Sequence, residues 1–320
     1  MGNIVYDGTP EGIERERELI TELGGDPDEN HPFEAETDEM RDIPEQLYVV
    51  HDPDILGWIK QNVHKKPLLL VSPVGTGKTT LSNICEREFP ADKFFITSLR
   101  GDNNRTTKRQ LCEHILKQAI EEGYEIDESR YGPIRDGIPH ATTEAEEALH
   151  RFINELQSEG RRLLFFADQI ENYNPDLFDV LQTLVDKGAG VLITGTPDGR
   201  DHLREADGTD SDDQALYDRV EEYPRPFHPF SEQHIKQFFG KAFAYASGRE
   251  LSESEGQRFL SDEAVAHVHE ITEGHPRNVR QVGQDVFAAV ATKYAEGTPL
   301  DEIELTAADV DDATVQTPDQ

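Results

Sequence analysis

Hydrophobic residues in the middle of the chain come in short continuous runs, and amphipathic stretches separate these runs. The runs predict strands at residues 68–71, 93–97, 162–167 and 190–194. The stretches between and beside them predict helices at residues 54–63, 78–88, 105–122, 142–159 and 175–187. Strands that are apolar on both faces and alternate with helices are typical of a parallel sheet covered by helices on both sides. The predicted fold class is therefore α/β.

After residue 226 the strand pattern gives way to helical periodicity. Predicted helices lie at residues 231–246, 252–260, 261–272 and 276–295, followed by a polar segment at 305–313. Before the sheet, the first 45 residues hold 15 acidic and three basic side chains, with one short helical stretch at residues 13–23, which favours a mobile arm. The predicted domains are an acidic, largely flexible arm (1–45), an α/β domain (46–226), a small all-helical lid domain (227–313) and a tail (314–320).

A glycine-rich turn joins the first predicted strand to its helix. The phosphate-loop pattern G-x-x-x-x-G-K-[ST] is complete here except that Ser72 replaces the first glycine. Gly75 and Gly77 let the backbone amides wrap phosphate groups. Lys78 can reach the terminal phosphates, and Thr79 can ligate Mg²⁺. The predicted cofactors are ATP and Mg²⁺, contacted by Val74, Gly75, Thr76, Gly77, Lys78, Thr79 and Thr80.

An acidic residue follows another apolar run. Asp168 ends the predicted strand 162–167, where a P-loop protein needs a carboxylate to hold Mg²⁺ together with Thr79. The next residue, Gln169, can orient a water molecule but is a poor general base. Glu171 is the alternative base, and a surface charge is an equally open interpretation of it. The sequence therefore predicts nucleotide binding more firmly than fast hydrolysis.

These motifs and the helical C-terminal part resemble those of AAA+ ATPases over residues 46–315. The clade with archaeal origin-recognition initiators and transposition regulators is the most similar. The resemblance implies a sensor 1 residue at Thr196, with Thr194 next, and an arginine finger at Arg219 that serves a neighbouring subunit of a homo-oligomer. It also implies a sensor 2 residue at Arg277 in Gly274-His275-Pro276-Arg277. Plain alternatives are an ordinary strand-end threonine at 196 and a salt bridge at Arg219.

The same resemblance bears on catalysis and on DNA. Members of the family usually carry a catalytic glutamate where this chain has Gln169, so we expect slow Mg²⁺-dependent hydrolysis. Initiators continue into a winged-helix domain, which we do not expect here. In related ATPases the region after the second strand faces DNA, so the resemblance implies a DNA contact at a basic cluster there. Local stability alone would not favour this cluster, because cations in a helix's first turn oppose its dipole; pairing with the acidic surface is the alternative. The cluster comprises Arg100, Arg105, Lys108 and Arg109.

Two functions fit these features. The first is an ATP-dependent switch or motor acting on DNA, in replication, transposition or defence against mobile elements. The alternative is an ATP-binding scaffold that hydrolyses little or nothing and assembles with an unidentified protein partner. Gln169 favours the scaffold, whereas Arg219 and Arg277 favour the motor.

Charge and apolar content bear on the salt conditions and the compartment of the protein rather than on the chemistry of its site. The 320 residues include 65 acidic and 31 basic side chains, a net charge of −34, and only 11 lysines. Such a charge repels nucleic acid at long range. Many acids and few lysines favour a protein of a salt-rich cytoplasm, where this repulsion is screened; the alternative is an ordinary acidic protein.

Cys85 and Cys112 lack metal-ligand spacing. With no signal region and no apolar run near the roughly 18 residues of a membrane span, we expect a cytoplasmic protein.

Overall fold

The apolar runs form strands in the computed structural model of the chain. The structure describes residues 10–33, 45–50, 52–101, 106–206, 216–225 and 227–314. Its strands are β1 (Leu68–Val71), β2 (Phe94–Arg100), β3 (Ile134–Arg135), β4 (Ile138–Pro139), β5 (Arg162–Asp168), β6 (Gly190–Gly195) and β7 (Glu221–Glu222).

Helices occupy most of the remaining described residues. They are α1 (Pro10–Leu23), α2 (Pro53–Asn62), α3 (Lys78–Glu88), α4 (Lys108–Glu121), α5 (Thr142–Ser158), α6 (Asp176–Asp186), α7 (Pro197–Ala206), α8 (Leu216–Arg219), α9 (Glu232–Ala246), α10 (Glu253–Gly256), α11 (Asp262–Thr272), α12 (Pro276–Ala295) and α13 (Ala307–Thr314). Short 3-10 helices lie at Glu45–Leu47, Glu128–Arg130, Ile170–Asn172 and Gln257–Phe259.

Within the described residues, five strands form one parallel sheet in the order β2-β5-β6-β1-β7. Because the strands are parallel, all of them end at the same edge of the sheet. We call this edge, marked by Val71, Arg100, Asp168 and Gly195, the carboxyl edge. The opposite edge, marked by Leu68, Phe94, Arg162 and Gly190, is the amino edge. The short strands β3 and β4 form a separate antiparallel hairpin.

Successive side chains of the central strands face two different layers of helices. In β5, Leu163, Phe165 and Ala167 share an apolar cluster with residues of α4, α5 and α6. Leu164 and Phe166 pack instead with residues of α2 and α3. Burial on both faces explains why the strand is apolar throughout. The predicted parallel sheet with helices on both faces is confirmed.

The chain divides into two compact units, Asp52–Phe227 and the combination of Met1–His51 with His228–Gln320. In the described part of the second unit, helices α9, α11, α12 and α13 contribute to one apolar core. Its largest fully buried side chains are Phe239, Phe243, Phe259 and Phe287. The predicted all-helical region after the sheet is confirmed.

The predicted flexible arm is wrong for residues 10–33. Helix α1 carries an apolar stripe, Leu19, Ile20 and Leu23, that is buried in the core of the helical unit. Phe33 joins the same core, with its ring edge-on to Phe238 at a centroid distance of 6.0 Å. One such stripe is enough to dock a short helix, although acidic residues dominate the composition. Residues 1–9 and 34–44 lie outside the described residues.

Smaller differences concern short elements. Leu47 and Val49 also belong to the helical unit's core, so the α/β unit begins later than residue 46. The predicted helix at 252–260 consists of α10 and a 3-10 turn, and β7, α7 and the hairpin were not predicted. None of the helices in the described residues has the length and apolar character needed to cross a membrane.

Candidate nucleotide-binding site

The glycine-rich turn lies at the carboxyl edge, between β1 and α3. Gly75 and Gly77 adopt φ angles of 82° and 93°, a left-handed conformation that glycine tolerates best. Ser72, at the position of the usual first glycine, donates its backbone N–H to the carbonyl of Gly195 at 3.1 Å. This bond ties the start of the loop to the end of β6.

Lys78 folds back into the loop. Its Nζ donates to the carbonyl oxygens of Ser72 and Pro73, both at 2.7 Å, and the residue is 7% exposed. Burial lowers the pKa of Lys78, while the carboxylates of Asp168 and Glu171 act in the opposite direction. The ammonium group is thus held inside the loop, where phosphate oxygens could replace the two carbonyls as acceptors.

Asp168 receives hydrogen bonds on both carboxylate oxygens. Thr79, in the first turn of α3, donates its hydroxyl to Oδ2 at 2.6 Å. The hydroxyl of Thr194 donates to Oδ1, and so does the backbone N–H of Gln169, the latter at 3.0 Å. Mg²⁺ prefers hard oxygen ligands, and the Thr79 hydroxyl and Asp168 Oδ2 are two such ligands side by side. The residues present therefore fit Mg²⁺.

Gln169 begins a sharp turn after β5. It adopts the left-handed conformation with φ 55°, and its Oε1 lies 3.5 Å from the side-chain nitrogen of Asn172. Gly101 leaves room for the turn, since a Cβ at that position would lie 2.5 Å from the carbonyl oxygen of Gln169. The partially buried Gln169 side chain is thus engaged with Asn172 rather than with Lys78 or Thr79.

Glu171 points along the carboxyl edge. Its Oε2 accepts the backbone N–H of Thr196 at 3.2 Å, and the carboxylate influences the pKa of Lys78. A Cβ at Gly199 would lie 2.6 Å from Oε2, so the carboxylate lies close against the backbone at the start of α7. These contacts distinguish Glu171 from a freely solvated surface acid.

The other residues of the loop and strand end have separate positions. The Thr76 hydroxyl donates to the carbonyl of Pro73 at 2.9 Å, Val74 is 65% exposed, and Thr80 is half-buried on α3. The Thr196 hydroxyl accepts the N–H of Gly199 at 3.3 Å. Thr196 is therefore engaged through both its backbone and its side chain.

Arg219 does not lie with this cluster. Its Nη1 pairs with Asp186 Oδ1 at 2.6 Å, at the end of α6. The next strand residue along the chain, Glu221, is in register with Leu68, the first residue of β1. Arg219 is thus at the amino edge, remote from the phosphate loop of its own chain.

Arg277 belongs to the helical unit, where it is exposed in the first turn of α12. Pro276 starts that helix, a position that suits its fixed φ. Just before it, Gly274 has φ 68° and accepts the N–H of Phe230 at 2.7 Å. A Cβ at Gly274 would lie 2.2 Å from the Phe230 carbonyl oxygen. The glycine of this motif therefore secures the backbone entry to α12.

The predicted DNA cluster is largely engaged in internal contacts. Lys108 pairs with Asp179 at 3.2 Å. Arg109 contacts Glu113 at 2.6 Å and donates to the carbonyls of Pro139, at 2.6 Å, and His140. Arg100 is exposed at the end of β2. The fourth member, Arg105, lies outside the described residues.

Sequence reasoning missed the contacts of Thr194, Gly199 and Asn172. A hydroxyl inside the apolar run Val191–Gly195 was a signal for Thr194, because a buried hydroxyl needs a hydrogen-bond partner. Gly199 and Asn172 carry no comparable sequence signal, since their contacts arise from the turn after β5 and the start of α7.

Residues 61–203 match a family model, AAA_22, described as an AAA domain. No curated protein matches the sequence.

Solved structures are similar at low identity. A chain of Drosophila ORC bound to DNA has 14% identity and a TM-score of 0.47, with 94% of this chain and 72% of that chain covered. A chain of Drosophila ORC bound to GC-rich DNA and Cdc6 has 12% identity and a TM-score of 0.45, with 91% and 44% covered. C. elegans PCH-2 has 15% identity and a TM-score of 0.36, with 96% and 68% covered.

Proposed function

We propose that this chain, which carries an AAA domain over residues 61–203, binds ATP with Mg²⁺ and hydrolyses it. The AAA+ resemblance drawn from the phosphate loop and Asp168 is confirmed over that segment. The observation that carries the proposal is the 2.6 Å contact between the Thr79 hydroxyl and Asp168 Oδ2. It joins the end of the loop to the end of β5, where an Mg²⁺–nucleotide complex needs its protein ligands.

Binding uses groups that already point into the loop. Lys78 exchanges its two backbone acceptors for phosphate oxygens, and the amides from Gly75 to Thr79 surround the phosphates. Thr79 and Asp168 hold Mg²⁺, which when bound neutralises negative charge on the phosphate oxygens. The lowered pKa of Lys78 reflects its burial. Phosphate would relieve this cost by supplying negative charge beside the ammonium.

Hydrolysis needs a base for the attacking water, and we assign this role to Glu171. Its carboxylate lies at the carboxyl edge beside Thr196 and within electrostatic reach of Lys78. In this role Glu171 takes the proton from water as the water oxygen forms a bond to the terminal phosphorus. The bond between that phosphorus and the bridging oxygen breaks at the same time, and ADP leaves with phosphate as the second product. Gln169 lacks a proton-accepting carboxylate, and its side chain is near Asn172.

Arg219 acts in this proposal on the nucleotide of a neighbouring subunit. The supporting observation is its position at the amino edge, away from its own loop, in a partly exposed ion pair with Asp186. A guanidinium that gives up this pair can stabilise charge developing on a transferring phosphoryl group. The active form is therefore a homo-oligomer. Arg277, exposed at the start of α12, is proposed as the sensor 2 residue, which the helical lid contributes to ATP hydrolysis.

DNA is the proposed partner on which the ATPase acts. Fewer residues support this role than the sequence suggested, because Lys108 and Arg109 pair with Asp179 and Glu113 of the same chain. Arg100 is exposed near the ends of the strands that carry the site. It is therefore the residue through which we expect DNA to influence hydrolysis.

A scaffold that binds ATP without hydrolysing it is the second candidate. The observation in its favour is Gln169 directly after Asp168, with its side chain turned to Asn172. In a scaffold, Glu171 only fixes the turn by accepting the Thr196 N–H. The two candidates differ in whether bound ATP is consumed.

The test is single-turnover ATP hydrolysis in molar salt, with Mg²⁺ present or chelated and with or without DNA. We expect Mg²⁺-dependent hydrolysis that chelation abolishes, and stimulation by DNA that Arg100→Ala reduces. Tight binding without product would favour the scaffold. A chain that binds no ATP would contradict both candidates, and an absent DNA effect would contradict only the DNA role.

A further inference from the structure

Thr194 is a polar residue within a buried apolar strand. It follows Val191, Leu192 and Ile193 in β6 and is 1% exposed. A hydroxyl buried at this depth is costly unless it forms a hydrogen bond. Its bond to Asp168 Oδ1 meets that need. The question is whether the bond serves only the hydroxyl or also the carboxylate.

The surroundings of Asp168 favour a role for the carboxylate. One oxygen, Oδ1, accepts from the Thr194 hydroxyl and from the Gln169 N–H, whereas Oδ2 accepts from Thr79. Two donors fixed on Oδ1 restrict rotation of the carboxylate about its Cβ–Cγ bond. Oδ2 is thereby kept toward Thr79 and the phosphate loop. Without the Thr194 bond, only the backbone N–H of Gln169 would hold Oδ1.

We propose that Thr194 is a positioning residue that orients Asp168 for Mg²⁺. The inference rests on the proposed nucleotide site and deepens it, because it names the group that presents Oδ2 to the metal. Thr194 touches neither nucleotide nor Mg²⁺ in this role. Loss of an outer partner of a metal-binding side chain typically costs about 10–100-fold in metal affinity. The bond also links β6 to β5 beside the loop.

The chain offers a matched control in Thr97. This threonine is 2% exposed in β2, and its Oγ1 has no hydrogen-bond partner within the described residues. Thr97→Val and Thr194→Val make the same near-isosteric change in strands of the same sheet. Only the second removes a hydrogen bond to Asp168. Effects of threonine removal on packing are thereby separated from effects on the carboxylate.

The experiment measures binding of a fluorescent ATP analogue by the full chain in molar salt as Mg²⁺ is titrated. Nucleotide affinity in chelator and melting temperature are measured alongside. We expect Thr194→Val to raise the Mg²⁺ concentration for half-maximal binding at least about 10-fold, with nucleotide affinity in chelator unchanged. Thr194→Ser, which keeps the hydroxyl, should behave as the wild type, and so should Thr97→Val.

An unchanged Mg²⁺ requirement in Thr194→Val would overturn the inference, as would equal shifts in Thr194→Val and Thr97→Val. If Thr194→Val does not fold, Thr194→Ala and Thr194→Ser are compared, and equal Mg²⁺ requirements overturn it. A wild type that binds the analogue but does not hydrolyse ATP refutes the ATPase alone. In that case, the shift in Thr194→Val would still support the positioning role. A wild type without Mg²⁺-dependent binding overturns both.

Discussion

The two edges of the α/β unit's sheet hold their polar groups in different ways. At the carboxyl edge, Asp168 is 3% exposed and is hydrogen-bonded on both carboxylate oxygens. At the amino edge, the Arg219–Asp186 and Lys60–Glu88 pairs are partly open to water. Exposed ion pairs contribute about 0–1 kcal/mol, whereas a buried group that loses its partner costs about 1–3 kcal/mol. The carboxyl edge is therefore constrained and the amino edge is free to exchange partners.

This difference suits the two edges to two tasks. A constrained cluster presents Lys78, Thr79 and Asp168 to a nucleotide without rearranging the fold. A weakly paired arginine at the other edge can leave Asp186 for a neighbour's phosphate at little cost. Substitutions at Arg219 and at Lys78 each remove one polar group from one of the two edges.

Arg219→Ala should lower the hydrolysis rate about 10³-fold or more, the range of arginine fingers. ATP binding and melting temperature should hardly change, because the lost pair with Asp186 is partly exposed. Single-turnover kinetics, ATP titration and thermal melting measure the three quantities. Lys60→Ala removes a different amino-edge pair and is the control, with wild-type hydrolysis expected.

Mixing the Arg219→Ala and Lys78→Ala proteins tests whether Arg219 acts between subunits. Each variant contributes an intact half of a composite site, so the mixture should recover part of the activity. Native mass spectrometry establishes that mixed oligomers form. Mixed oligomers without any recovery would place Arg219 outside the proposed role.

Lys78→Ala should lower ATP affinity at least about 100-fold, because hydrogen bonds to charged groups contribute about 1.5–3 kcal/mol each. The fold should persist, since within the described residues the Lys78 side chain donates only to the loop carbonyls of Ser72 and Pro73. Calorimetric titration and circular dichroism measure both effects. Lys187→Ala, at an exposed lysine after α6, is the control. Unchanged ATP affinity in Lys78→Ala would remove the basis for the site.

Ile20→Ala should destabilise the helical unit by about 2–5 kcal/mol, the usual cost of truncating a buried isoleucine. Ile20 is fully buried, whereas Ile13 of the same helix is 47% exposed, so Ile13→Ala should change stability by no more than about 0.5 kcal/mol. Chemical denaturation followed by fluorescence compares the two. Equal, small effects would restore the flexible-arm interpretation of residues 10–33.

Transfer from molar to about 0.1 M salt should lower the melting temperature by a few degrees, since the screening length grows from about 3 to about 10 Å. The repelling charges are the exposed acids of a chain with net charge −34. Differential scanning calorimetry across a salt series gives the result. A melting temperature that is constant or rises on dilution would refute adaptation to high salt.

Local patterns were enough to predict the core of the fold and the loop. An apolar run, a glycine-rich turn and a lysine stand next to one another in the sequence, and Asp168 directly ends its strand. The proposal of Glu171 rather than Gln169 as the base was not readable in this way. It rests on the left-handed turn at Gln169 and on the contact between Glu171 and the Thr196 N–H, which only the folded chain supplies.

Contacts between distant residues account for the other features that the sequence did not predict. Arg109 donates to the carbonyls of Pro139 and His140, at the end of the β3–β4 hairpin. Helix α1 is buried through contacts with α12, which lies near the other end of the sequence. β7, Glu221–Glu222, has no apolar run to reveal it, because it is a short strand held by pairing with β1. Charge counts over residues 1–45 hid the apolar stripe of α1.

The most direct test of the central proposal is single-turnover hydrolysis by the wild type, Glu171→Gln and Gln169→Glu, with Mg²⁺ in molar salt. Wild-type turnover should fall about 10²–10⁴-fold in Glu171→Gln, the typical contribution of a general base, while ATP binding persists. Gln169→Glu should change the rate little. Equal rates in wild type and Glu171→Gln would contradict the assignment of the base. Hydrolysis by Gln169→Glu alone would identify the natural chain as a scaffold.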